Sequence, residues 1–261
     1  MLLRKMLRDL FNHKGTYIAT MILITMGILV YTSFSMLHDS FEYSINKYYD
    51  DNNFADGTLK VTGMSKSIEE EINSLSGIYK AEGRLEKRVR MLNKKTEVTF
   101  HFISYNSKDE NRLNNIQLIE GRMPNPKKKE IIIGNYYYKA VGLSLGEYIP
   151  VVINGNKENL KVVGYGRSPE FIYAKKNDTE LIANPKTFDI AFMPYESMSE
   201  MFGLENQINN VAFKLYKGVE FNDIKTDIKE IIYKYGIVSL TDREDQLSHT
   251  TTNKSLMALE Q

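Results

Sequence analysis

The sequence predicts an α+β fold in which one N-terminal transmembrane helix precedes a large polar domain. The first observation is an apolar run over residues 17–37 without a charged side chain, and about 20 such helical residues cross a bilayer core. The second is a strand, helix and strand pattern at residues 57–92 that returns at 210–240. The sequence between is mostly β. We therefore expect two β-α-β units forming one porter-like layer, with a β-rich insertion at about 97–206.

The flanks of the apolar run predict its orientation. The basic residues before it are Arg4, Lys5, Arg8 and Lys14, whereas acidic residues follow it at Asp39, Glu42, Asp50, Asp51 and Asp56. An excess of Lys and Arg on the short side marks that side as cytoplasmic. The run is too long for a typical cleavable signal core. We expect a transmembrane helix at 16–38 in the cell membrane, in contact with lipid, with the N-terminus cytoplasmic and the main domain extracytoplasmic.

Residues 1–15 have the pattern of a cytoplasmic amphipathic leader. Its apolar side chains recur at helical spacing, and basic and polar side chains take the other face. Such a helix lies in the inner membrane interface. It serves either as a simple anchor or as a surface that meets a cytoplasmic partner.

One face of the apolar helix carries small and hydroxylic residues. Thr16, Thr20, Gly27 and Tyr31 fall on one narrow stripe, which would let another transmembrane helix approach closely. The alternative is that the threonines bond back to carbonyls of their own helix. The first interpretation implies further membrane spans.

The outer segment divides into a stalk, a core domain and a return helix. The helical rhythm continues after the membrane, which predicts a stalk helix at 39–55. The core domain follows at 56–243, with a hairpin signal at Asn154-Gly155. Residues 244–261 begin a second, returning stalk helix without a second apolar run. This pattern is expected of a fragment, or a naturally short copy, of a longer multi-span protein.

Composition and motifs exclude several classes of function. The net charge is +1, so no basic field indicates nucleic acid, and the chain has no cysteine for thiol chemistry. It lacks a phosphate-binding loop, a serine nucleophile motif and metal-ligand spacing among its four histidines. We therefore expect no catalytic, cofactor or metal residues and a non-catalytic protein. The lysines at 127–129 and 175–176 are either solvated or contact anionic lipid or wall polymer.

Four motifs resemble the FtsX-like permeases of ABC transporters, which carry a MacB-like periplasmic core domain. They span residues 120–124, 142–147, 162–164 and 168–173, and an aromatic residue with Met-Pro follows at 192–194. Their signature residues are Gly121, Arg122, Pro124, Gly142, Gly146, Gly164, Ser168, Pro169, Glu170, Phe171, Ile172, Tyr173 and Pro194. The most specific is Ser-Pro-Glu-aromatic-Ile-Tyr at 168–173.

The physical interpretation of this signature is structural. Pro169 restricts Ser168 to an extended conformation, the side chains of 171–173 can bury, and Glu170 can bond nearby amides. Arg122 is expected to order its loop through the guanidinium fork. A fixed turn is preferred here to a ligand site.

The resemblance implies a permease subunit whose outer domain couples ATP hydrolysis by a separate cytoplasmic ATPase to mechanical work on an export substrate or envelope partner. Residues 41–50 and 244–259 would be the paired stalks, and the remaining transmembrane helices would come from the rest of the permease as a dimer or duplicated module. The alternative is a single-span sensor or binding module without an ATPase. A membrane-anchored enzyme is a third, weaker interpretation.

Overall fold

A computed structural model of the chain describes residues 12–92, 97–172, 174 and 184–257. The chain divides into two compact units, Met1–Lys47 with Thr252–Gln261, and Tyr48–Thr251. Three predicted features lie wholly or partly outside the described residues: residues 1–11 of the leader predicted at 1–15, Tyr173, and the lysines at 175–176.

The described residues form six α-helices and eleven strands. The helices are α1 (Lys14–Asp51), α2 (Ile68–Asn73), α3 (Asn135–Val141), α4 (Tyr195–Phe202), α5 (Phe221–Ile232) and α6 (Leu247–Met257). The strands are β1 (Gly57–Ser65), β2 (Ile78–Arg84), β3 (Glu86–Met91), β4 (Val98–Tyr105), β5 (Gln117–Gly121), β6 (Glu130–Gly134), β7 (Tyr148–Ile153), β8 (Asn156–Arg167), β9 (Phe188–Pro194), β10 (Gln207–Leu215) and β11 (Ile237–Asp242).

The predicted membrane helix and stalk are one continuous helix. Helix α1 has 38 residues and is long and apolar enough to cross a membrane. At 1.5 Å per residue it is about 57 Å long. It ends at Asp51 rather than at residue 55, because Asn53 takes the left-handed conformation with φ 49°.

The two predicted β-α-β units form a single sheet. Its order is β11-β1-β10-β2 with antiparallel neighbours, while α2 joins β1 to β2 and α5 joins β10 to β11. Each unit therefore encloses a strand of the other, which is the ferredoxin-like arrangement. The buried side chains of both helices share one core with the sheet. The prediction of a layer built from two β-α-β units is confirmed.

The burial of α5 differs from the prediction in one residue. The isoleucine spacing predicts a helix over residues 221–235 that is buried through Ile224, Ile228 and Ile231. Ile224 and Ile228 are buried, but Ile231 is only half-buried. Phe221 and Ile232 bury instead. The helix ends at Ile232, earlier than predicted, and a 3-10 turn at Tyr233–Tyr235 follows.

The middle of the chain is a small barrel. Its strand order is β5-β8-β6-β9-β4-β3-β7, and β7 also pairs with β8. Six strands therefore close into a ring, with β5 attached outside on β8. The insertion is β-rich as predicted. It begins at β3, however, so the boundary near residue 97 was too late.

Two consecutive strands, β2 and β3, carry the chain from the first sheet into the barrel. The stretch predicted as a single strand from Ile78 to Leu92 is divided at Leu85 into β2 of the first sheet and β3 of the barrel. Leu85 is 1% exposed, and one apolar core contains side chains of both sheets. Asn209 holds the crossing, since its side chain accepts from the Glu86 amide at 2.7 Å and donates to the Glu86 carbonyl at 3.0 Å.

The β7–β8 hairpin confirms the Asn-Gly signal. Asn154 and Gly155 have φ of 50° and 82°, and Ile153 pairs with Asn156 across a two-residue turn. The sequence predicts the second strand of this hairpin over residues 160–164, whereas β8 already starts at Asn156. Helix α6 begins at Leu247 rather than at 244.

Candidate functional site

The Ser-Pro-Glu signature follows β8 as a short, buried connection. Ser168 is extended, with φ −127° and ψ 149°, and a 3-10 turn covers Pro169–Phe171. The proline imposes this geometry on the residue before it. The Ser168 hydroxyl is buried and donates to the Asn114 carbonyl oxygen at 3.0 Å. The segment is therefore fixed to the loop before β5.

Glu170 forms a bidentate ion pair with Arg84. Arg84 Nη1 and Nη2 donate to the two carboxylate oxygens at 2.7 and 3.0 Å, and both side chains are at most 10% exposed. Arg84 also donates to Asn210 Oδ1, at 3.0 Å from Nε and 2.7 Å from Nη2. Burial acts to lower the pKa of Arg84, but the charge of Glu170 and its hydrogen bonds outweigh it and raise that pKa. All three nitrogens of the Arg84 guanidinium therefore donate hydrogen bonds.

A second carboxylate lies on the other side of Arg84. Glu86 Oε1 is 3.9 Å from Arg84 Nη2, while Lys60 Nζ and His101 Nε2 lie 2.6 and 3.2 Å from its other oxygen. Burial acts to raise the pKa of Glu86, but the His101 hydrogen bond and the charges of Arg84 and Lys60 hold it well below its usual range. The result is a compact buried network of alternating charges.

Asn114 connects this network to the end of α1. Its side chain donates to Glu170 at 2.7 Å and accepts from the Ala55 amide at 2.8 Å. Its own backbone amide donates to the Asn53 carbonyl at 3.0 Å. Asn114 has φ 50°, a conformation that asparagine tolerates better than most residues. Through this residue, Glu170 is bonded to the segment that leaves α1.

The start of α6 is held by the same signature segment. Ser248 Oγ donates to the Pro169 carbonyl at 3.2 Å and accepts from the Ile172 amide at 3.1 Å. Just before it, Arg243 donates to the carbonyls of Phe54 and Ala55 at 2.6 and 3.0 Å. The connections from α1 and into α6 therefore meet at one buried junction, which we call the Glu170 junction: Arg84, Asn114, Ser168 to Ile172, Asn210 and Ser248.

The comparison with known families decides the kind of protein. The family of MacB-like periplasmic core domains matches residues 15–231 of the chain. The chain belongs to this family. Its members are extracytoplasmic domains of ABC transporter permeases, so the recognition made from the four motifs is confirmed. A comparison with curated proteins finds no match.

Solved structures similar to this MacB-like chain include three transporter domains. The extracellular domain of the noncanonic ABC-type transporter YknZ from Gram-positive bacteria is 14% identical, with TM-score 0.45, 69% of this chain and 92% of that chain covered. The periplasmic region of MacB from Actinobacillus actinomycetemcomitans is 10% identical, with TM-score 0.48, and the match covers 81% of this chain and 97% of that chain. A domain of a putative permease from Porphyromonas gingivalis is 11% identical, with TM-score 0.40, and the match covers 75% of this chain and 94% of that chain.

The Gly-Arg motif of this MacB-like domain orders the loop between β5 and β6. Arg122 Nη1 and Nη2 each donate to one carboxylate oxygen of Glu130, both at 2.7 Å. Glu130 also accepts from the Asn125 amide at 3.0 Å. The Arg122 hydrogen bond lowers the pKa of Glu130 to about 2. Gly121 has φ 97°, and a Cβ there would collide with the backbone of Val163. Only glycine fits this approach of β5 to β8.

The remaining signature residues occupy element boundaries. Gly142 follows α3, Gly146 precedes β7, Gly164 pairs with Gly121 across β8 and β5, and Pro194 ends β9. Pro124 is buried in the loop after β5, and Phe171 is half-buried beside the His101 ring at 5.8 Å. Apart from Phe171, which adjoins Glu170 in the chain, these residues lie outside the Glu170 junction. Their role as purely structural positions stays a prediction.

The stripe on α1 is exposed to its surroundings. Thr16, Thr20, Gly27 and Tyr31 are all exposed, and a Cβ at Gly27 would meet no atom within 4 Å. Thr20 Oγ1 donates to the Thr16 carbonyl at 2.9 Å, as the alternative interpretation expects. Packing of another helix on this stripe stays a prediction.

A polar cavity of about 300 Å³ lies beside the Glu170 junction. His101, Glu170, Phe171, Arg88 and Gln246 are among its lining residues. The Glu170 carboxylate in its wall is neutralised by Arg84, and His101 Nε2 lies 3.2 Å from a carboxylate oxygen of Glu86. Within the described ranges, no group of three or more His, Asp or Glu side chains is placed to hold a metal ion. What this arrangement can do is join chain segments through charge-assisted hydrogen bonds.

Sequence reasoning located the signature but missed its partners. Arg84 and Asn114 are 86 and 56 residues away from Glu170 in the chain. Neither stands in a motif. The available hint was Arg84 within an otherwise strand-like stretch, where a buried cation requires an acid elsewhere.

Proposed function

We propose that this chain acts as a permease subunit of an ABC transport system, in which the outer domain converts ATP hydrolysis by a separate cytoplasmic ATPase into mechanical work on an export substrate or envelope partner. The observation that carries the proposal is the Glu170 junction. Asn114 bonds it to the segment after α1, and Ser248 bonds it to the first turn of α6.

The chemistry of the junction suits the transmission of force. Short charge-assisted bonds between buried groups are stronger than neutral ones and are held by the surrounding packing. The Arg84–Glu170 fork joins β2 of the sheet to the signature segment. A displacement of either connecting segment is therefore passed to the domain rather than absorbed in a flexible linker.

The proposal includes the topology and the membrane partners. The basic N-terminal flank supports a cytoplasmic position for the residues before α1 and an outer position for the MacB-like domain. Further transmembrane helices, from a dimer or a duplicated module, would pack on the stripe that contains Gly27. Lipid would cover the remaining apolar side chains, which are exposed along α1.

The test follows the stalk segments during nucleotide turnover. The variants Ser44→Cys and Lys254→Cys would carry the spin labels, and residues 1–261 contain no natural cysteine. The full-length protein is purified with the ATPase that accompanies it, and the distance between labels is measured with ATP and with ADP by double electron–electron resonance. We expect the distance to change with nucleotide. The control pair joins two exposed positions of the domain, Lys157→Cys near the start of β8 and Glu205→Cys in the turn before β10, and should keep its distance.

Two outcomes would contradict the proposal. One is a full-length protein that purifies without any ATPase. The other is a stalk distance that stays the same in both nucleotides while ATP is hydrolysed. Either result would favour the single-span sensor.

A further inference from the structure

A second cavity lies apart from the Glu170 junction, at the end of the barrel where β4 and β9 stop. Its volume is about 680 Å³, which is within the range of small-ligand sites. Tyr105 at the end of β4, Arg112 in the following loop, and Glu196 on α4 contribute to its walls. None of its lining residues takes part in the Glu170 junction.

Arg112 is a cation without an acid partner among the residues that the structure describes. Its Nε and Nη1 are buried and have no hydrogen-bond acceptor, and the guanidinium lies 4.9 Å from the centre of the Tyr105 ring. The Tyr105 hydroxyl is also buried without a hydrogen-bond partner. Buried donors of this kind are rare in native proteins and cost stability. Arg84, in contrast, is fully paired inside the same domain.

The other groups in the cavity restrict what can pair with Arg112. Lys108 and Lys127 add positive charge at the same cavity. Glu196 and Glu200 line it from α4, so a polyanion would be repelled while a donor group such as a backbone amide would be accepted. Met123, Pro124 and Pro126 supply an apolar surface beside these charges. The fitting ligand has one anionic group, hydrogen-bond donors and an apolar side chain close together.

We propose that this cavity binds the C-terminal end of a peptide. Its free carboxylate pairs with the Arg112 guanidinium, its terminal apolar side chain packs on Met123 and Pro124, and its amide groups donate to Glu196 and Glu200. This activity does not depend on coupling to an ATPase. It gives the domain a recognition site for an extracytoplasmic polypeptide.

The test compares two peptides that differ only at the terminal group. The probes are acetyl-Ala-Ala-Leu with a free carboxylate and the same peptide as its C-terminal amide, and binding to the full chain in detergent micelles is measured by isothermal titration calorimetry. We expect the acid to bind about tenfold or more tightly than the amide, since a charge-assisted pair is lost with the amide.

Arg112→Gln should weaken binding of the acid by about tenfold and leave the amide unaffected. Arg167→Gln is the matched control, because Arg167 also stacks on a tyrosine ring, Tyr48, at 5.0 Å but does not line the cavity. Its peptide affinity should equal that of the natural chain. If Arg112→Gln fails to fold, Lys127→Gln replaces it, with an expected weakening of about twofold that disappears in high salt.

Four results would overturn the proposal. The first is equal binding of the acid and the amide, and the second is no binding of either peptide. Arg167→Gln could weaken binding as much as Arg112→Gln. Inorganic phosphate or vesicles of anionic lipid could bind with dependence on Arg112 while the peptide acid does not, which would assign the cavity to a phosphate-bearing ligand.

Discussion

At the scale of single residues, the domain depends on how its buried charges are paired. Arg84 is enclosed between two carboxylates and an amide oxygen. A buried ion pair contributes little net stability compared with apolar residues, but removing one partner leaves an uncompensated charge. In this chain Glu170 is therefore the counter-charge of a residue that lies 86 positions away in the sequence.

Replacing Glu170 should have a large effect on stability. In Glu170→Gln the guanidinium of Arg84 loses its forked partner, and we expect the free energy of unfolding to fall by about 3 to 5 kcal/mol. Urea unfolding followed by circular dichroism measures this change. Glu158→Gln is the control, because the pair of Glu158 with Lys129 is more exposed and should contribute less than about 1 kcal/mol. Equal effects of the two variants would show that Glu170 does not neutralise Arg84.

Asp189 makes stability depend on pH. Its carboxylate accepts from the amides of Tyr137 and Ile190 at 2.6 and 2.8 Å, yet burial raises its pKa to about 6. The folded state therefore holds a proton that the unfolded state releases at about pH 4, so stability from this group falls as pH rises from about 4 to about 6, by about 3 kcal/mol.

In Asp189→Asn, the free energy of unfolding should no longer contain the part that falls between about pH 4 and about pH 6. The variant lacks one hydrogen bond at every pH, but its stability relative to the natural chain should rise by about 3 kcal/mol between pH 4 and pH 7, measured by urea unfolding. Glu130→Gln tests the sign, because its lowered pKa gives a contribution that grows as pH rises from about 2 to about 4.5 and is constant above that. A stability difference between Asp189→Asn and the natural chain that is constant with pH would refute the assignment.

At the scale of elements, the sequence predicted those with a local signal. The Asn154-Gly155 turn marked its hairpin, and the isoleucine spacing marked α5. Strand β9 was missed because all seven residues of Phe188–Pro194 are buried, so the strand lacks the alternation of a half-exposed strand. The junction was missed for a different reason: its partners are distant in the chain, and pairing over such distances leaves no periodic pattern.

The connection between the end of α1 and the domain should depend on Asn114. In Asn114→Ala the Ala55 amide loses its acceptor, so we expect its hydrogen exchange to become at least about tenfold faster. Exchange of the peptide that contains residues 52–56, followed by mass spectrometry, measures this. Asn106→Ala removes an amide side chain from an exposed turn of the same loop, where it caps only Lys108, and should leave that peptide unchanged. Unchanged exchange in Asn114→Ala would remove the proposed link.

At the scale of the whole molecule, the predicted topology can be measured directly. Cells that produce Ser44→Cys should be labelled by a membrane-impermeant maleimide from outside, because this position follows the apolar run. A cysteine at His13 should be labelled only after the membrane is permeabilised. Residues 1–261 contribute no natural cysteine to the background of either experiment. The reverse pattern would place the domain in the cytoplasm and would contradict the proposed function.

The direct connection of β2 to β3 at Leu85 determines how the domain unfolds. Because the ferredoxin-like sheet and the barrel contribute side chains to one common core, loss of either would expose part of the interior of the other. Heat or denaturant should therefore melt both in a single cooperative transition. Under the proposed function, a load applied at one sheet would therefore be carried by the other sheet as well.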